Sequence, residues 1–426
     1  MLSSWLLAGA ALFAVSRGAP LEVEERNYVT SPIPPSKDPF YTAPPGYQSA
    51  SPGAILRSRP APGNLTAIIG NCSAAYNILY RTTDSQYQPS WAVTTLFVPL
   101  ASALEGSSHS KGSSSAGSLL SYQIPYDSAD VDDSPSFSLY EGEEPDITAA
   151  LGLGWYVNVP DYEGPKAAFT AGVQSGHATI DSVRAVLASN HGVHSDARIA
   201  MWGYSGGALA SEWAAELQIQ YAPELKFSGA ALGGLTPNIT SVLYSVNGSV
   251  YVGLVPSGVL GLASQHPDFN TALLEGLKPS GPFNKTGFLA AKEMSYVEAG
   301  DYYNEQDIFA YFTQGADFFK MPVISHVLNT DGQMGFHGVP NMPLFVYKAI
   351  HDTLSKIEDT DALVETYCNY GTNIVYQRNT VGGHEADSVN GDPSAFAWLV
   401  SLLEGTLVQN SCVTQDVTQN ITSYPY

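Results

Sequence analysis

The chain has 426 residues, of which 44% are hydrophobic and only 14% are charged. This length and composition suit a globular protein with a large core, built as one α/β domain with an insertion or as two domains. The formal net charge of −22 at pH 7 argues against nucleic acid as a partner, because phosphate binding needs clustered Lys and Arg.

Metal ions and organic cofactors are not expected from the sequence. It contains no phosphate-binding loop with its lysine and no dinucleotide fingerprint. His191 and His194 have a spacing that could suggest a metal, but no carboxylate or cysteine clearly completes a site with them. We therefore predict chemistry carried by side chains alone.

The N-terminus has the features of a secretory leader. Residues 1–16 form an apolar block that is short for a membrane span, and small residues follow it at Gly18 and Ala19. We predict a signal peptide over residues 1–19, no transmembrane anchor, and an extracellular protein. Glycosylation fits this location, since six Asn-x-Ser/Thr sequons begin at Asn64, Asn71, Asn238, Asn247, Asn284 and Asn420.

The first half of the mature chain alternates between strand and helix patterns. Residues 20–62 are rich in proline and lack periodicity, which predicts an extended arm. The Ser/Gly-rich segment 107–118 predicts a flexible surface loop. Runs of β-branched and aromatic residues predict strands at 75–82, 91–98, 119–124 and 155–159, and a helical pattern covers 167–189.

A nucleophile elbow follows at Gly203, Ser205 and Gly207, which match the pattern G-x-S-x-G. An apolar run over 199–202 predicts the strand before it, and apolar positions over 209–221 predict the helix after it. Glycines flank the serine because the sharp turn from strand to helix leaves no room for side chains. Ser205 is therefore the candidate nucleophile, and it needs a histidine base and an acid elsewhere in the chain.

The remaining elements predict an α/β fold, with a mostly parallel sheet, helices on both faces and an inserted helical cap. The cap is expected over residues 235–339, because about a hundred residues separate the strand at 227–234 from the next one at 343–347. Core segments at 63–234 and 340–412 flank the cap, and a tail follows at 413–426.

Chain order then selects the partners of Ser205. In hydrolases with this elbow the acid comes next and the histidine last. Asp352 directly follows a predicted strand, whereas its rivals Asp359 and Asp361 lie further on, in a predicted helix. Beyond Asp352 only His384 remains as a base, in a glycine-rich loop before the final helix.

Three motifs resemble those of the fungal secretory lipase family, a branch of the α/β-hydrolases. They are VPDYEGP at 159–165, SGHATIDSVRA at 175–185 and WGYSGG at 202–207, within a similarity that runs from about residue 35 to 417. The resemblance implies the triad Ser205, Asp352 and His384. It also implies an oxyanion hole made by the backbone N–H groups of Asp127 and Gly206, and a helical lid between the elbow and the acid.

The cysteines allow one disulfide and leave one thiol, since the chain has only Cys72, Cys368 and Cys412. The resemblance implies the pair Cys368 and Cys412. Yeast members of the family carry a further cysteine near the position of Asp133 and a partner for it in the cap, and both are missing from this chain. The resemblance therefore leaves the anchoring of the lid open.

The predicted function is a secreted carboxylic ester hydrolase, with a triacylglycerol lipase as the first choice. Its substrate would be an ester or a lipid, with a lipid–water interface as one possible setting. A deacetylase of small esters or of secondary metabolites such as trichothecene esters is the alternative. An inactive hydrolase fold that serves binding is a third, less favoured one, because all three triad positions are filled.

Overall fold

A computed structural model describes residues 31–106 and 117–421. The predicted signal peptide (1–19), the start of the predicted arm and most of the predicted loop 107–118 lie outside these ranges. No helix in the described ranges is both long enough and apolar enough to cross a membrane.

Within these described ranges, ten strands form one sheet in the order β1-β2-β3-β5-β4-β6-β7-β8-β9-β10. The pairs β1–β2, β2–β3 and β3–β5 are antiparallel, and the six pairs from β5 to β10 are parallel. The strands are β1 (Ile55–Pro60), β2 (Cys72–Thr83), β3 (Pro89–Pro99), β4 (Ser118–Gln123), β5 (Tyr156–Pro160), β6 (Arg198–Tyr204), β7 (Phe227–Gly233), β8 (Leu344–Ala349), β9 (Ile374–Asn379) and β10 (Val413–Val417).

Helices cover the sheet and fill the insertion between β7 and β8. On the core they are α1 (Leu65–Ile69), α2 (Ala101–Gly106), α3 (Pro135–Ser138), α4 (Pro145–Gly152), α5 (Gly172–Ala188), α6 (Gly206–Tyr221), α13 (Ile357–Asn369), α14 (His384–Asn390) and α15 (Asp392–Glu404). In the insertion they are α7 (Ile239–Val246), α8 (Leu254–Gln265), α9 (Pro267–Gly276), α10 (Lys285–Leu289), α11 (Tyr296–Tyr303) and α12 (Pro322–Thr330). The predicted α/β fold is thus confirmed, with helices in the stretch that we predicted as the cap (235–339).

The core lies on both faces of the parallel strands. Alternate residues of β6 show this, because Ile199 and Met201 pack on one face with α5 and α6. Ala200 and Trp202 pack on the opposite face with α4 and α15. A central parallel strand that is covered on both faces has a continuous run of apolar residues, and this run is why the sequence predicted β6. The cap helices pack against the α5 and α6 face.

The segments that we predicted as an extended arm and as a C-terminal tail contribute strands to the edges of the sheet. β1 belongs to the predicted arm 20–62 and pairs with β2, and β10 belongs to the predicted tail 413–426 and pairs with β9. Neither has an apolar alternation, because both lie at an edge and β10 is exposed at four of its five positions. A disulfide between Cys368 and Cys412 joins α13 to the segment just before β10, and Cys72 is a buried free cysteine.

Candidate active site

The elbow is a sharp turn between β6 and α6. Ser205 has a φ of 51°, a backbone conformation that is unusual for a residue with a side chain. A Cβ atom on Gly203 would lie 2.3 Å from the backbone of Gly207, and one on Gly207 would lie 1.9 Å from the carbonyl oxygen of Gln123. Both positions therefore require glycine, and the serine hydroxyl stands at the N-terminus of α6.

Ser205, His384 and Asp352 form a hydrogen-bonded chain. His384 Nε2 lies 2.8 Å from Ser205 Oγ, and His384 Nδ1 lies 2.7 Å from Asp352 Oδ2. The three residues follow the carboxyl ends of the parallel strands β6, β9 and β8, which brings them to one edge of the sheet. The rival acids Asp359 and Asp361 lie on α13, where Asp361 is within 3.6 Å of Arg378.

The surroundings of His384 differ from the predicted loop. His384 is the first residue of the short helix α14, although we predicted it in a glycine-rich loop. Its carbonyl oxygen accepts a hydrogen bond of 2.6 Å from the Tyr204 hydroxyl, whose residue directly precedes Ser205. The histidine backbone is thus fixed to the strand that carries the candidate nucleophile.

Asp352 is a buried carboxylate with a full set of donors. Lys348 Nζ donates to Oδ2 at 2.8 Å, and the backbone N–H groups of Leu354 and Ser355 donate to Oδ1 at 2.8 and 2.9 Å. Burial alone would raise the pKa of Asp352, but the hydrogen bond from His384 and the charge of Lys348 hold it below its ordinary value. Asp352 is therefore ionised, which makes His384 Nδ1 the donor and leaves Nε2 to accept from Ser205.

Asp127 and Gly206 meet on the other side of the elbow. Asp127 follows β4 with a φ of 49°, and a Cβ atom on Gly206 would lie 1.9 Å from Asp127 Oδ1. Gly206 begins α6, and the first N–H groups of a helix have no partner within the helix. Asp127 Oδ1 is buried without a hydrogen-bond partner. Burial and the charge of Glu385 raise the pKa of Asp127 to about 7.

Two cavities meet at Ser205. The first, which we call the channel, is almost wholly apolar and runs into the cap between residues of α7 and α8 such as Val242, Val246 and Val259. The second, which we call the cleft, is lined by His384 and by polar side chains from α4, α14 and α15. Their volumes are about 40 Å³ and about 350 Å³.

The secretory lipase family model matches residues 139–410, more than half of the chain. The chain belongs to the secretory lipase family. It is 51% identical to trichothecene C-3 esterase from Fusarium sporotrichioides, over 92% of this chain and 90% of that protein. It is also 38% identical to lipase A from Arthroderma benhamiae, over 91% and 83%. The crystal structure of Candida antarctica lipase A in its closed state superposes with a TM-score of 0.79 at 26% identity, over 91% and 90%.

As a secretory lipase, the chain is a carboxylic ester hydrolase of the α/β-hydrolase class. Sequence reasoning missed one residue of its site, the fully buried Lys348. A signal was present, because Lys348 is the lone charge within the apolar strand β8 and lies four residues before Asp352. A lysine in a buried strand needs an anionic partner, and the nearest candidate was the predicted acid.

Proposed function

We propose that this secretory lipase hydrolyses esters through an acyl-enzyme formed on Ser205. In this mechanism His384 Nε2 takes the Ser205 proton as the hydroxyl attacks the ester carbonyl, and it then gives that proton to the leaving alcohol. Asp352 holds the imidazole in the required tautomer and stabilises its cationic form. The observation that carries the proposal is the hydrogen-bonded chain of these residues at the junction of two cavities.

The oxyanion hole is proposed to consist of the backbone N–H groups of Gly206 and Asp127. Gly206 lies at the N-terminus of α6, where free N–H groups and the helix dipole favour a negative charge. The strained backbone of Asp127 is consistent with a donor that is held in a fixed direction. Each fixed donor of this kind is worth about 3 to 4 kcal/mol in the barrier.

We assign each half of the ester to one of the two cavities. His384 lines the cleft and not the channel, and the proton must reach the leaving oxygen from His384. The alcohol half therefore belongs in the cleft, and the acyl half belongs in the apolar channel. The channel is the narrower of the two cavities, which favours a slim acyl group on a larger alcohol.

This size difference changes the ranking of our sequence predictions. The preferred substrate becomes a short-chain ester, such as an acetate, of a bulky alcohol. The similarity to trichothecene C-3 esterase supports the same choice and suggests a trichothecene acetylated at C-3 as a test substrate. Triacylglycerol lipase becomes the second candidate. The apolar lining of the channel by cap residues favours it, as do the relatives named lipases.

Secretion and glycosylation complete the proposal. The leader at 1–19 supports export, and of the sequon asparagines Asn64, Asn71 and Asn420 are exposed. The other three are partly buried, and Asn238 and Asn284 cap the N-termini of α7 and α10. We expect glycans first at the three exposed sites, and glycopeptide mass spectrometry of the secreted protein measures their occupancy.

A substrate panel tests the function. The purified protein is assayed on p-nitrophenyl acetate, a C-3 acetylated trichothecene and an emulsified long-chain triacylglycerol, with Ser205→Ala and the exposed control Ser58→Ala. We expect hydrolysis of both acetates, a loss of about 10⁵- to 10⁶-fold in Ser205→Ala, and normal rates in Ser58→Ala. Activity mainly on the emulsion would favour the lipase, and no activity on any ester would refute the proposal.

A further inference from the structure

The cleft contains an acidic wall remote in sequence from the triad. Glu144 and Asp146 lie at the start of α4, and Asp392 lies at the start of α15. With Asp127 and Glu385 they give the cleft five carboxyl groups, and none of its described lining residues is Lys or Arg. A cavity with one sign of charge attracts hydrogen-bond donors and cations and disfavours anions.

One carboxyl oxygen of Asp146 accepts no hydrogen bond from the described residues of the protein. Its side chain is 5% exposed, and Oδ2 accepts a hydrogen bond of 2.8 Å from the Tyr122 hydroxyl. Its other oxygen, Oδ1, is buried with no partner. Buried polar atoms nearly always have a partner in folded proteins, so an orphan acceptor in the wall of a substrate cleft fits a donor on the substrate.

The neighbours of Asp146 fix it in this position. Tyr122 is partly buried and packs against Trp202, with ring centroids 5.3 Å apart. Asp146 lies in the first turn of α4, where the helix N-terminus favours a carboxylate. Burial, followed by the charge of Asp146, raises the pKa of Glu144 to about 7, and burial raises that of Asp146 to about 6. Above about pH 7 both carboxyl groups are ionised, and the pair then presents acceptor oxygens from a rigid wall.

We propose that Asp146, together with Glu144, is a binding site for a free hydroxyl group on the alcohol half of the ester. The inference rests on the proposed function, because it assigns the cleft to the alcohol. It makes the enzyme selective for uncharged alcohols that keep a further hydroxyl after esterification. Above about pH 7, where Asp127, Glu144 and Asp146 are ionised, the carboxyl groups of the cleft disfavour esters whose alcohol half carries an anionic group.

Three acetates of three-carbon alcohols test this selectivity with one acyl group. They are propyl acetate, glycerol monoacetate and the acetate of glycerol 3-phosphate. For the wild-type protein we expect kcat/KM to be roughly tenfold or more higher for glycerol monoacetate than for propyl acetate, since an unmet buried acceptor penalises the analogue without a hydroxyl. The phosphate ester should fall below propyl acetate, and added salt should narrow that gap.

The variants Asp146→Asn and Glu144→Gln then locate the effect, with the exposed neighbour Glu143→Gln as the matched control. The readout is the ratio of kcat/KM for glycerol monoacetate over propyl acetate, which cancels differences in the amount of folded enzyme. We expect the ratio to fall toward one in Asp146→Asn, to fall less in Glu144→Gln, and to keep the wild-type value in Glu143→Gln.

The outcomes separate the two proposals. Hydrolysis of all three acetates without a hydroxyl preference, or a preference that survives in both cleft variants, would overturn the inference and leave the esterase intact. The comparison of the three acetates with the wild-type protein tests the inference even if Asp146→Asn does not fold. Failure to hydrolyse these acetates and p-nitrophenyl acetate would overturn the proposed function and the inference with it.

Discussion

Two loops each bring an aspartate to the elbow, and the two aspartates have opposite hydrogen-bonding environments. In the first, which we call the acid loop (residues 350–355), Asp352 accepts hydrogen bonds from Lys348, from His384 and from two backbone N–H groups. The oxyanion loop, residues 124–128, leaves Asp127 Oδ1 with none. The pKa of Asp352 lies below its ordinary value, whereas burial raises that of Asp127 to about 7.

The comparison teaches that donors, and not burial, decide the charge of an aspartate at this site. In the proposed mechanism, a negative charge beside His384 stabilises the imidazolium that forms during attack, so Asp352 must be ionised. A negative charge beside the proposed oxyanion hole would oppose the developing oxyanion, so a neutral Asp127 suits the proposed reaction below about pH 7. In this proposal one residue type serves two electrostatic roles beside the elbow that carries Ser205.

The largest expected effect comes from removing the charge of the acid loop. In Asp352→Asn we expect kcat to fall by about 10⁴-fold, because the amide no longer holds the productive tautomer of His384. Steady-state kinetics on p-nitrophenyl acetate measures this. Asp359→Asn and Asp361→Asn are matched controls that should retain the wild-type rate, and a normal rate in Asp352→Asn would return the acid role to one of them.

Removing the positive charge of Lys348 should destabilise the acid loop. In Lys348→Met the buried Asp352 loses its cation, which costs about 3 to 5 kcal/mol of unfolding free energy. Urea unfolding followed by tryptophan fluorescence measures the loss, with the exposed Lys356→Met as the control. A loss below about 1 kcal/mol would mean that this buried ion pair stabilises the fold no more than an exposed ion pair does.

Asp127 and similar carboxyl groups should set the pH dependence of stability. Burial raises the pKa of Asp127 and Asp161 to about 7 and that of Asp146 and Asp387 to about 6. Between about pH 4 and pH 7 the unfolded chain therefore binds fewer protons than the folded one, and stability falls as the pH rises. We expect Tm to be several degrees higher at about pH 5 than at about pH 8. Calorimetry on the wild-type protein measures this, and the opposite slope would contradict the raised pKa values.

The smallest effect is expected from Asp127→Asn in acid solution. Asn keeps the shape of the protonated acid, so kcat at about pH 6 should change by no more than roughly threefold. Above about pH 7 the wild-type rate should decline as Asp127 ionises, while the variant should lack this decline. A pH profile of kcat for both proteins measures the difference, and identical profiles would show that Asp127 does not titrate in this range.

Much of the fold followed from the sequence because the parallel strands are buried on both faces. The runs that became β6 and β7 are mostly apolar, and the glycines around Ser205 are required by close backbone contacts. The edge strands β1 and β10 could not be predicted, since an exposed edge imposes no apolar pattern and its pairing is made by backbone groups.

The site was predictable where chemistry fixes the order of residues and not where only the fold brings them together. The elbow motif led to Ser205, and chain order together with the predicted strand end led to Asp352 and His384. Asp127 came from the family resemblance, because an aspartate after a strand is more often an ordinary turn residue. The acidic wall at Glu144 and Asp146 gave no signal, since its place opposite His384 depends on how α4 packs on the finished sheet.

The carbonyl oxygen of Leu235 has a consequence for engineering. It accepts hydrogen bonds from Lys348 Nζ at 2.8 Å and from Ser355 Oγ at 3.0 Å, at the point where the chain leaves β7 for the cap. The upstream junction of the cap is thus tied to the same loop that holds Asp352. A chimera that exchanges the cap for that of a relative should be spliced after Leu235, which transfers the cap side of the channel and leaves the donors of Asp352 undisturbed.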